Sequence, residues 1–485
     1  MTTAVAAAVA ADLTARLEAV RSAGRFEARA LDALRAFLTD APDEDLFRTS
    51  PLRLAERYDL DEHTAIDLVL HATRAGVFDF DWGVLCPGCA AFLTTRGGLR
   101  SLAVAKHCGF CRIDAQGSVD DNVEVAFTVN PAVRRLRFHD PDTLDARHDV
   151  LTMLFSRSLR YGQVLHEPLQ SLIVDVWRLP RGDTPDVHPI TLAAGRYVLI
   201  APASHSVLHL TVREGTGAPA ALAVDLLDGA FIPEDVEVAA GAVSLQVRNR
   251  TNVAAHLLLA GDPWPTREQM ATMTPYPQDL RPFFTGKRLI TSQAFRELFR
   301  AESIPADEGL QVKNLTVLFT DLKGSTEMYE RIGDLQAFAL VRRHFDLLRG
   351  IVAERGGAVV KTIGDAIMAS FAEPAPALEA AAVMNREIRQ VSHAGGRADL
   401  LLKVGLHAGA CIAVELNERL DYFGQTVNLA ARVQGFAGAG EIVCTDAVWN
   451  APGAAAVARD ASLSATRDEA RLKGIGAAVP VVRLS

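Results

Sequence analysis

The chain is 485 residues long, and we expect about three folding units because ordinary domains contain roughly 100–200 residues. Its apolar fraction of 49% and charged fraction of 22% are typical of a globular protein and exclude a largely disordered one. The formal net charge is −9 and no long run of Lys or Arg occurs, which excludes the basic surface of a general nucleic-acid binder.

The opening residues are apolar, but they lack a basic flank. They also reach Asp12 well short of the length that spans a membrane. We therefore expect neither a signal peptide nor a membrane helix, and we expect a soluble cytoplasmic protein without a membrane partner.

The first 85 residues carry apolar side chains at helical spacing. Residues 12–40 predict two helices interrupted near Gly24. A second pair of helices follows, with Ser50 and Asp61 as the expected amino-terminal caps, and the extended segment FDFDWGVL comes next. This order predicts a helical, winged-helix-like region over residues 1–85.

A winged helix suggests DNA binding, but the composition of its second helix argues against it. That helix offers Asp67, His71 and Arg74 instead of a basic, amide-rich face. A packing or dimerisation module is therefore favoured, and nucleic acid is not expected as a partner.

Four cysteines form two close pairs, Cys86/Cys89 in CPGC and Cys108/Cys111 in CGFC. The interval between the pairs matches the spacing of a tetrahedral zinc ribbon. A redox-active cysteine pair is the alternative. Because both pairs have ribbon spacing, we predict a zinc-ribbon-like segment over residues 86–115, in which all four cysteines hold a structural Zn²⁺.

Residues 116–262 change to the alternating pattern of β-strands, which predicts an antiparallel sandwich or barrel. The segment resembles cupredoxin-like and immunoglobulin-like sandwiches. His205, His209 and His256 raise the possibility of a copper site, but no Cys or Met stands near His256 as a blue-copper site requires. A Pro-rich connector with a short amphipathic helix at SQAFRELFRAE is expected over residues 263–311.

The segment after residue 312 places acidic residues where strands end. Asp321 ends a predicted strand in LTVLFTDLKGST, and Asp365 lies in the predicted turn of KTIGDAIMASF. If the first strand pairs with this hairpin, the two carboxylates converge beside the start of a helix expected near Ser325. Paired carboxylates suit Mg²⁺, which takes one or two of them and keeps several waters. Two unrelated turn aspartates are the alternative.

A predicted helix in YFGQTVNLAARV carries Asn428 and Arg432 four residues apart, and therefore on one face. Arg432 can stabilise charge that develops on a phosphoryl group, and Asn428 can hydrogen-bond a sugar. Asp421 lies on the strand that leads into this helix.

Residues 312–485 resemble the catalytic domain of class III adenylate/guanylate cyclases. The resemblance rests on FTDLKGST, KTIGDAIMASF, KVGLHAG, YFGQTVNLAARV, GEIVCTD and RLKGI, in that order. It implies a ferredoxin-like βαββαβ fold, so the fold class expected for the whole chain is multidomain α+β. The preceding region is similar to segments fused to such cyclases in some bacterial proteins.

The resemblance also implies roles for individual residues. Asp321 and Asp365 would bind two Mg²⁺ or Mn²⁺ ions, and Asn428 and Arg432 would stabilise the transition state. Two lysines would meet the triphosphate, namely Lys473 and Lys403. Lys361 and Asp421 would recognise the base. The family's sites lie between protomers, which implies a homodimer.

The base-recognition residues favour ATP as the substrate. Adenine offers an acceptor at N1 and a donor at its amino group, which match a Lys donor and an Asp acceptor; guanine has the opposite polarity. We therefore predict an adenylate cyclase that forms cyclic AMP and pyrophosphate. The alternatives are a guanylate cyclase, a catalytically silent nucleotide sensor, or a DNA-binding factor with an appended sensor.

Overall fold

The computed structural model of this chain describes most of its residues. By number they are 3–23, 25–94, 106–115, 118–140, 143–158, 170–215, 220–262, 282–299, 309–324, 329–330, 333–394, 401–416 and 419–485. Within these ranges, no helix combines the length and the apolar character needed to cross a membrane. The expected Pro-rich run of the connector lies outside the described residues.

Helices and strands both occur along the chain. The named helices are α1 (Thr3–Ser22), α2 (Ala28–Asp40), α3 (Asp43–Leu46), α4 (Pro51–Tyr58), α5 (Glu62–Arg74), α6 (Ala146–Leu154), α7 (Gly286–Ile290), α8 (Gln293–Leu298), α9 (Asp334–Glu354), α10 (Pro374–Ala394), α11 (Gln425–Phe436), α12 (Asp446–Trp449) and α13 (Ala454–Asp460). The strands of the first half are β1 (Phe78–Leu85), β2 (Phe92–Thr94), β3 (Lys106–His107), β4 (Asp114–Ala115), β5 (Val123–Val129), β6 (Ile173–Leu179), β7 (Gly182–Leu192), β8 (Gly195–Ala201), β9 (Ser206–Arg213), β10 (Ala220–Leu227), β11 (Ala230–Ile232), β12 (Asp235–Ala239), β13 (Gly241–Asn249) and β14 (Ala255–Gly261). Those of the second half are β15 (Leu310–Lys323), β16 (Gly357–Ile363), β17 (Ala366–Phe371), β18 (Leu401–Leu416), β19 (Arg419–Phe423), β20 (Glu441–Thr445), β21 (Ala465–Ala470) and β22 (Val479–Leu484).

The chain folds into two compact units that do not follow simple sequence order. The first unit comprises Met1–Leu60, Ala75–Gly117 and Asn122–Phe284. The second comprises Asp61–Arg74, Ser118–Asp121 and Thr285–Ser485. Helices α4 and α5 therefore belong to different units, and the predicted winged-helix-like region is divided between them.

The expected helix caps in the first half are confirmed. The Ser50 hydroxyl accepts a hydrogen bond from the Leu52 amide at the start of α4. The Asp61 carboxylate accepts one from the Thr64 amide at 3.0 Å, at the start of α5. Such caps satisfy amide groups that have no partner inside the helix. The segment FDFDWGVL forms β1 as predicted.

The β-rich region of the first unit forms two sheets that share one hydrophobic core. The sheets have the orders β11-β10-β13-β7 and β12-β9-β8-β14-β6. Two pairings, β10 with β13 and β12 with β9, are parallel, so the expectation of a purely antiparallel arrangement is wrong. The reason is that the chain leaves the first sheet after β11, adds β12 to the second, and returns as β13.

One mixed sheet organises the second unit, in the order β16-β17-β15-β18-β20-β22-β21. Its first elements are β15, α9, β16, β17, α10 and β18, which is the expected strand-helix-strand-strand-helix-strand order. Strand β15 lies between β17 and β18 and is antiparallel to both. Strand β19 pairs with the far part of β18 and leads into α11.

Alternate residues of these strands enter cores on opposite faces of the sheet. Ile442 and Cys444 of β20 lie in a core formed with α9 and α10. The intervening Val443 packs with Val433 of α11. This follows from the two-residue period of a strand, and it places α11 on the face opposite α9 and α10. The start expected near Ser325 lies outside the described residues; residues 329–330 are helical, and α9 begins at Asp334.

Close packing of α11 on β18 depends on the absence of a side chain at Gly405. A β-carbon there would lie 2.1 Å from the backbone nitrogen of Gln434, whereas one at Gly435 meets nothing within 4 Å. We predict that Gly405→Ala lowers the free energy of unfolding by about 1–3 kcal/mol through overpacking. Gly435→Ala, in the same helix, raises it by about 0.5–1 kcal/mol because alanine is the better helix former. Denaturant unfolding of both variants tests this pair, and equal effects would contradict the packing argument.

Candidate active site

The two candidate metal ligands, Asp321 and Asp365, lie at one edge of the second sheet. Asp321 is near the end of β15, and Asp365 lies in the turn between β16 and β17. The paired residues of β15 and β17 end where Phe319 lies opposite Met368. One residue further along, the Thr320 hydroxyl accepts a hydrogen bond from the Ile367 amide at 3.1 Å and continues the contact between the two strands. This register brings the two aspartates toward each other.

The environment of these carboxylates fits a divalent cation. Asp365 Oδ2 is buried and has no hydrogen-bond partner among the described residues. The Asp321 side chain is 37% exposed and faces Lys403, whose Nζ lies 3.8 Å from Asp321 Oδ2. A buried carboxylate oxygen without a partner is costly unless a cation or a donor satisfies it. Oxygen donors of this kind suit Mg²⁺ or Mn²⁺.

Lys361 and Asp421 form a close ion pair. Lys361 Nζ lies 2.6 Å from Asp421 Oδ2, and the side chains are 40% and 10% exposed respectively. Asp421 Oδ1 accepts a hydrogen bond from the Tyr422 amide at 2.8 Å. The carboxylate is thus oriented from both sides, while the ammonium group remains accessible. We refer to Lys361 and Asp421 as the base-recognition pair, after the role that the resemblance to cyclases implies for them.

Helix α11 presents Asn428 and Arg432 on an exposed face, as their spacing predicts. The turn after Lys473 lies beside Arg432, because a β-carbon at Gly474 would be 3.4 Å from the Arg432 guanidinium. Lys473 is exposed. Within the described part of the chain, no hydrogen bond or ion pair joins Asn428 or Arg432 to Asp321 or Asp365. A single chain therefore presents two separate groups of candidate residues.

Two family models match the chain. One, described as a family of unknown function (DUF5939), covers residues 10–297, which is more than half of the chain. The other, described as the adenylate and guanylate cyclase catalytic domain, covers residues 309–479. The chain belongs to the first family and carries a class III cyclase catalytic domain. The resemblance indicated by the carboxyl-terminal motifs is thereby confirmed.

Similar curated proteins include adenylate cyclases. One from Mycosarcoma maydis is 30% identical over 177 residues, which are 30% of this chain and 7% of that protein. One from Anabaena cylindrica is 30% identical over 136 residues, which are 25% of this chain and 27% of that protein. The matched parts thus span less than a third of these relatives.

Solved cyclase structures also resemble the cyclase domain. An adenylyl cyclase from P. aeruginosa is 24% identical and covers 37% of this chain and 96% of its own, with a TM-score of 0.32. The catalytic core of a rhodopsin-guanylyl cyclase with converted specificity, in complex with ATPαS, is 22% identical. The match covers 37% of this chain and 98% of that one, with a TM-score of 0.33. The likeness does not distinguish between ATP and GTP as the substrate of this cyclase domain.

Several residues beside the cyclase site had no signal in the sequence. His344 of α9 is fully buried, and burial lowers the pKa of His344 to about 4 although the Asp365 charge acts in the opposite direction. The ring is therefore neutral beneath the metal-site turn. Gln293 and Arg296 of α8 contact the strands that carry the base-recognition pair. The apolar spacing of this segment predicted the helix, but nothing in it predicted where its polar side chains bind. Ser325 and Thr326 of the GST motif lie outside the described residues.

The four paired cysteines converge in the first unit. Their sulfur atoms all lie within 4.8 Å of one another. One pair lies at the turn between β1 and β2, and the other at the turn between the short strands β3 and β4. Amide groups point at sulfur in both turns: Gly88 N–H donates to Cys86 Sγ at 3.3 Å, and Cys111 N–H donates to Cys108 Sγ at 3.4 Å. Hydrogen bonds from the Cys108, Cys111 and Cys89 thiols lower the pKa of Cys86.

The spacing of these sulfurs fits a tetrahedral metal. Metal–sulfur distances of about 2.3 Å give sulfur–sulfur edges of roughly 3.8 Å. The Cys89 and Cys108 sulfurs are 3.7 Å apart. The second turn is also anchored to the β-rich region, because His209 Nε2 donates to the Gly109 carbonyl at 2.7 Å. His209 is thus a buried structural residue rather than a member of the cysteine centre.

Proposed function

We propose that the protein is an adenylate cyclase that converts ATP to 3′,5′-cyclic AMP and pyrophosphate. The observation that carries this proposal is the base-recognition pair, Lys361 and Asp421, held at 2.6 Å in a class III cyclase domain. Lys361 donates to adenine N1, and Asp421 accepts from the adenine amino group. Guanine would place a donor against the lysine and an acceptor against the carboxylate. Unpaired buried groups of this kind cost about 1–3 kcal/mol each.

The reaction is an attack of the ribose 3′-oxygen on the α-phosphorus, with pyrophosphate leaving. Asp321 and Asp365 would hold two Mg²⁺ or Mn²⁺ ions, which would lower the pKa of the attacking hydroxyl and neutralise charge on the phosphate oxygens. Asn428 orients the ribose, and Arg432 stabilises charge on the α-phosphoryl group. Lys403 and Lys473 bind the triphosphate. Positioning and charge stabilisation therefore account for the catalysis.

The active form is a homodimer with sites shared between protomers. The separation of Asn428 and Arg432 from the metal-site aspartates within one chain supports this arrangement. The β18–β19 hairpin further supports it by exposing apolar side chains: Ile412 is 44%, Leu416 is 47% and Phe423 is 48% exposed. Exposed apolar side chains grouped on one hairpin favour burial against another protein surface. Head-to-tail pairing yields two equivalent sites per dimer.

The cysteine centre is a structural zinc site. Its four sulfurs fill every position of a tetrahedron, which leaves no position open for substrate. The two amide–sulfur hydrogen bonds stabilise thiolates, the form of cysteine that binds zinc. The ribbon then links the short strands β1–β4 without taking part in the cyclase chemistry.

Product analysis tests the substrate. With Mg²⁺ or Mn²⁺, the full-length chain should form cyclic AMP from ATP and much less cyclic GMP from GTP, as measured by chromatography. Lys361→Glu should raise the ratio of GTP to ATP activity at least tenfold, about 1.4 kcal/mol, because an acceptor replaces the donor. In the double variant Lys361→Glu/Asp421→Asn, the new glutamate no longer faces a second carboxylate. This variant should therefore raise the ratio of GTP to ATP activity further.

Three results would count against the substrate assignment. Dominant cyclic GMP from the unaltered chain would make the protein a guanylate cyclase. An unchanged ratio in both Lys361 variants would remove the base-recognition argument. Absence of both products would favour a catalytically silent nucleotide sensor.

Mixing experiments test the shared site. Asp321→Ala and Arg432→Ala chains should each be nearly inactive, since each lacks part of every site. An equal mixture should recover about a quarter of the original activity, because half of the dimers are then mixed and each holds one intact site. Asp321→Ala mixed with Asp365→Ala is the control, since both changes lie in the same half-site and no activity should return. Differently tagged chains verify exchange, and exchange without recovery would contradict a shared site.

Metal analysis tests the cysteine centre. The purified chain should carry about one Zn²⁺, and Cys86→Ser/Cys111→Ser should lose it and unfold at lower temperature, since structural zinc contributes directly to folding. Cys411→Ala, which changes a buried cysteine outside the centre, should keep its zinc. Oxidisable thiols without zinc in the unaltered chain would favour the redox alternative.

A further inference from the structure

Helix α8 (Gln293–Leu298) reaches both strands that carry the base-recognition pair. It lies in the second compact unit, although the family of unknown function extends to residue 297. Its neighbours there are α5, α7, α9 and β16. One helical turn from the amino-terminal family segment is therefore placed beside the residues that recognise the base.

Gln293 holds the strand of Lys361. Gln293 is 7% exposed, and its Oε1 accepts a hydrogen bond from the Val359 amide at 2.8 Å. Its Nε2 donates to Glu297 at 2.7 Å, which keeps the side-chain amide in this orientation. The register of β16 against β17 shifts between Val359 and Lys361. Such an irregularity turns the following side chain, so an additional bond at Val359 helps to determine where Lys361 points.

Arg296 holds the strand of Asp421. Its guanidinium donates to the carbonyl of Leu420, the residue immediately before Asp421. The same group lies over the Tyr422 ring, 5.7 Å from the ring centroid. Arg296 thus contacts the residues on both sides of the recognition carboxylate, within one strand.

Tyr422 provides a second connection to the same segment. Its side chain is 1% exposed, and its hydroxyl donates to the Ile290 carbonyl of α7 at 3.1 Å. Its amide donates to Asp421 Oδ1. Tyr422 therefore links α7 to the Asp421 carboxylate, and Arg296 links α8 to the same strand.

The sheet by itself does not join the two recognition residues. In its hydrogen-bonding order, β17, β15 and β18 separate β16 from β19. Two side chains of α8 span this interval directly through hydrogen bonds to strand backbone, Gln293 to β16 and Arg296 to β19. Two residues of one helix thus help to determine the relative position of a donor and an acceptor that must match one base.

We propose that Gln293 and Arg296 are specificity-determining positioning residues: helix α8, at the end of the range matched by the family of unknown function, sets the geometry of the base-recognition pair and thereby the preference for adenine over guanine. The inference rests on the proposed function, because it assumes that Lys361 and Asp421 contact the base. Neither residue touches the reacting atoms. Their loss affects the binding and orientation of ATP much more than the chemical step.

The test compares Gln293→Ala and Arg296→Ala with Arg288→Ala in the full-length chain. Arg288 is a matched control, because it belongs to the same segment but pairs with Glu62 at 2.7 Å. The ratio of kcat/KM for ATP to that for GTP should fall about tenfold in the first two variants and stay unchanged in the control. The loss should appear mainly as a higher KM for ATP. Arg296→Lys, which keeps a donor, should recover part of the ratio.

Equilibrium binding of 3′-deoxy-ATP and 3′-deoxy-GTP gives the same comparison without turnover, since these analogues lack the attacking hydroxyl. If the ratio of 3′-deoxy-ATP affinity to 3′-deoxy-GTP affinity falls in both alanine variants, the inference is supported even if the chain is catalytically silent. Equal losses for both nucleotides, or unchanged ratios, would overturn it and leave only a structural role for α8. If the unaltered chain forms cyclic AMP while the variants keep its ratio, this inference fails and the proposed function stands.

Discussion

Strand β15 pairs with β18 from Leu310 to Lys323, with one irregularity near its start. That register sets Asp321 directly opposite Lys403, so a carboxylate and a lysine occupy neighbouring positions at one end of the sheet. On its other side β15 receives β17, whose turn carries Asp365. A shift of one residue in either pairing would send Asp321 to the opposite face of the sheet, because side chains alternate along a strand.

The same long strand β18 also positions the remaining elements of the site. Its first half supports α11 at Gly405, where backbone approaches backbone closely. Its second half pairs with β19, which ends in Asp421 and its neighbours and leads into α11. The residues proposed for metal binding, base recognition and charge stabilisation are therefore placed by continuous pairing of a few strands.

The candidate catalytic residues could be picked out from the sequence, and their places in the fold anticipated, because their signals are local. Asp321 ends a strand, Asp365 lies in a tight turn, and Asn428 and Arg432 share a helix face, so short motifs define each one. The four cysteines were equally visible from spacing. Gln293 and Arg296 were not, since their partners are backbone groups far along the chain, and a backbone carbonyl has no residue type to recognise. The parallel strand pairs of the β-rich region were missed for a related reason. Alternation of apolar and polar residues predicts that a segment is a strand, but it does not predict which strand lies beside it.

The boundary between the two sequence families does not coincide with the boundary between the compact units. Segment 61–74 and residues 118–121, both within the first family's range, are built into the second unit, where Asp120 accepts a hydrogen bond from the Lys313 amide at 2.6 Å. A cyclase domain cut at the family boundary would expose the Val359 amide, the Tyr422 hydroxyl and the face that α5 and α8 cover. The cyclase domain of this chain is thus completed by segments from the other family's range, and a fragment that begins at residue 309 lacks part of its own packing.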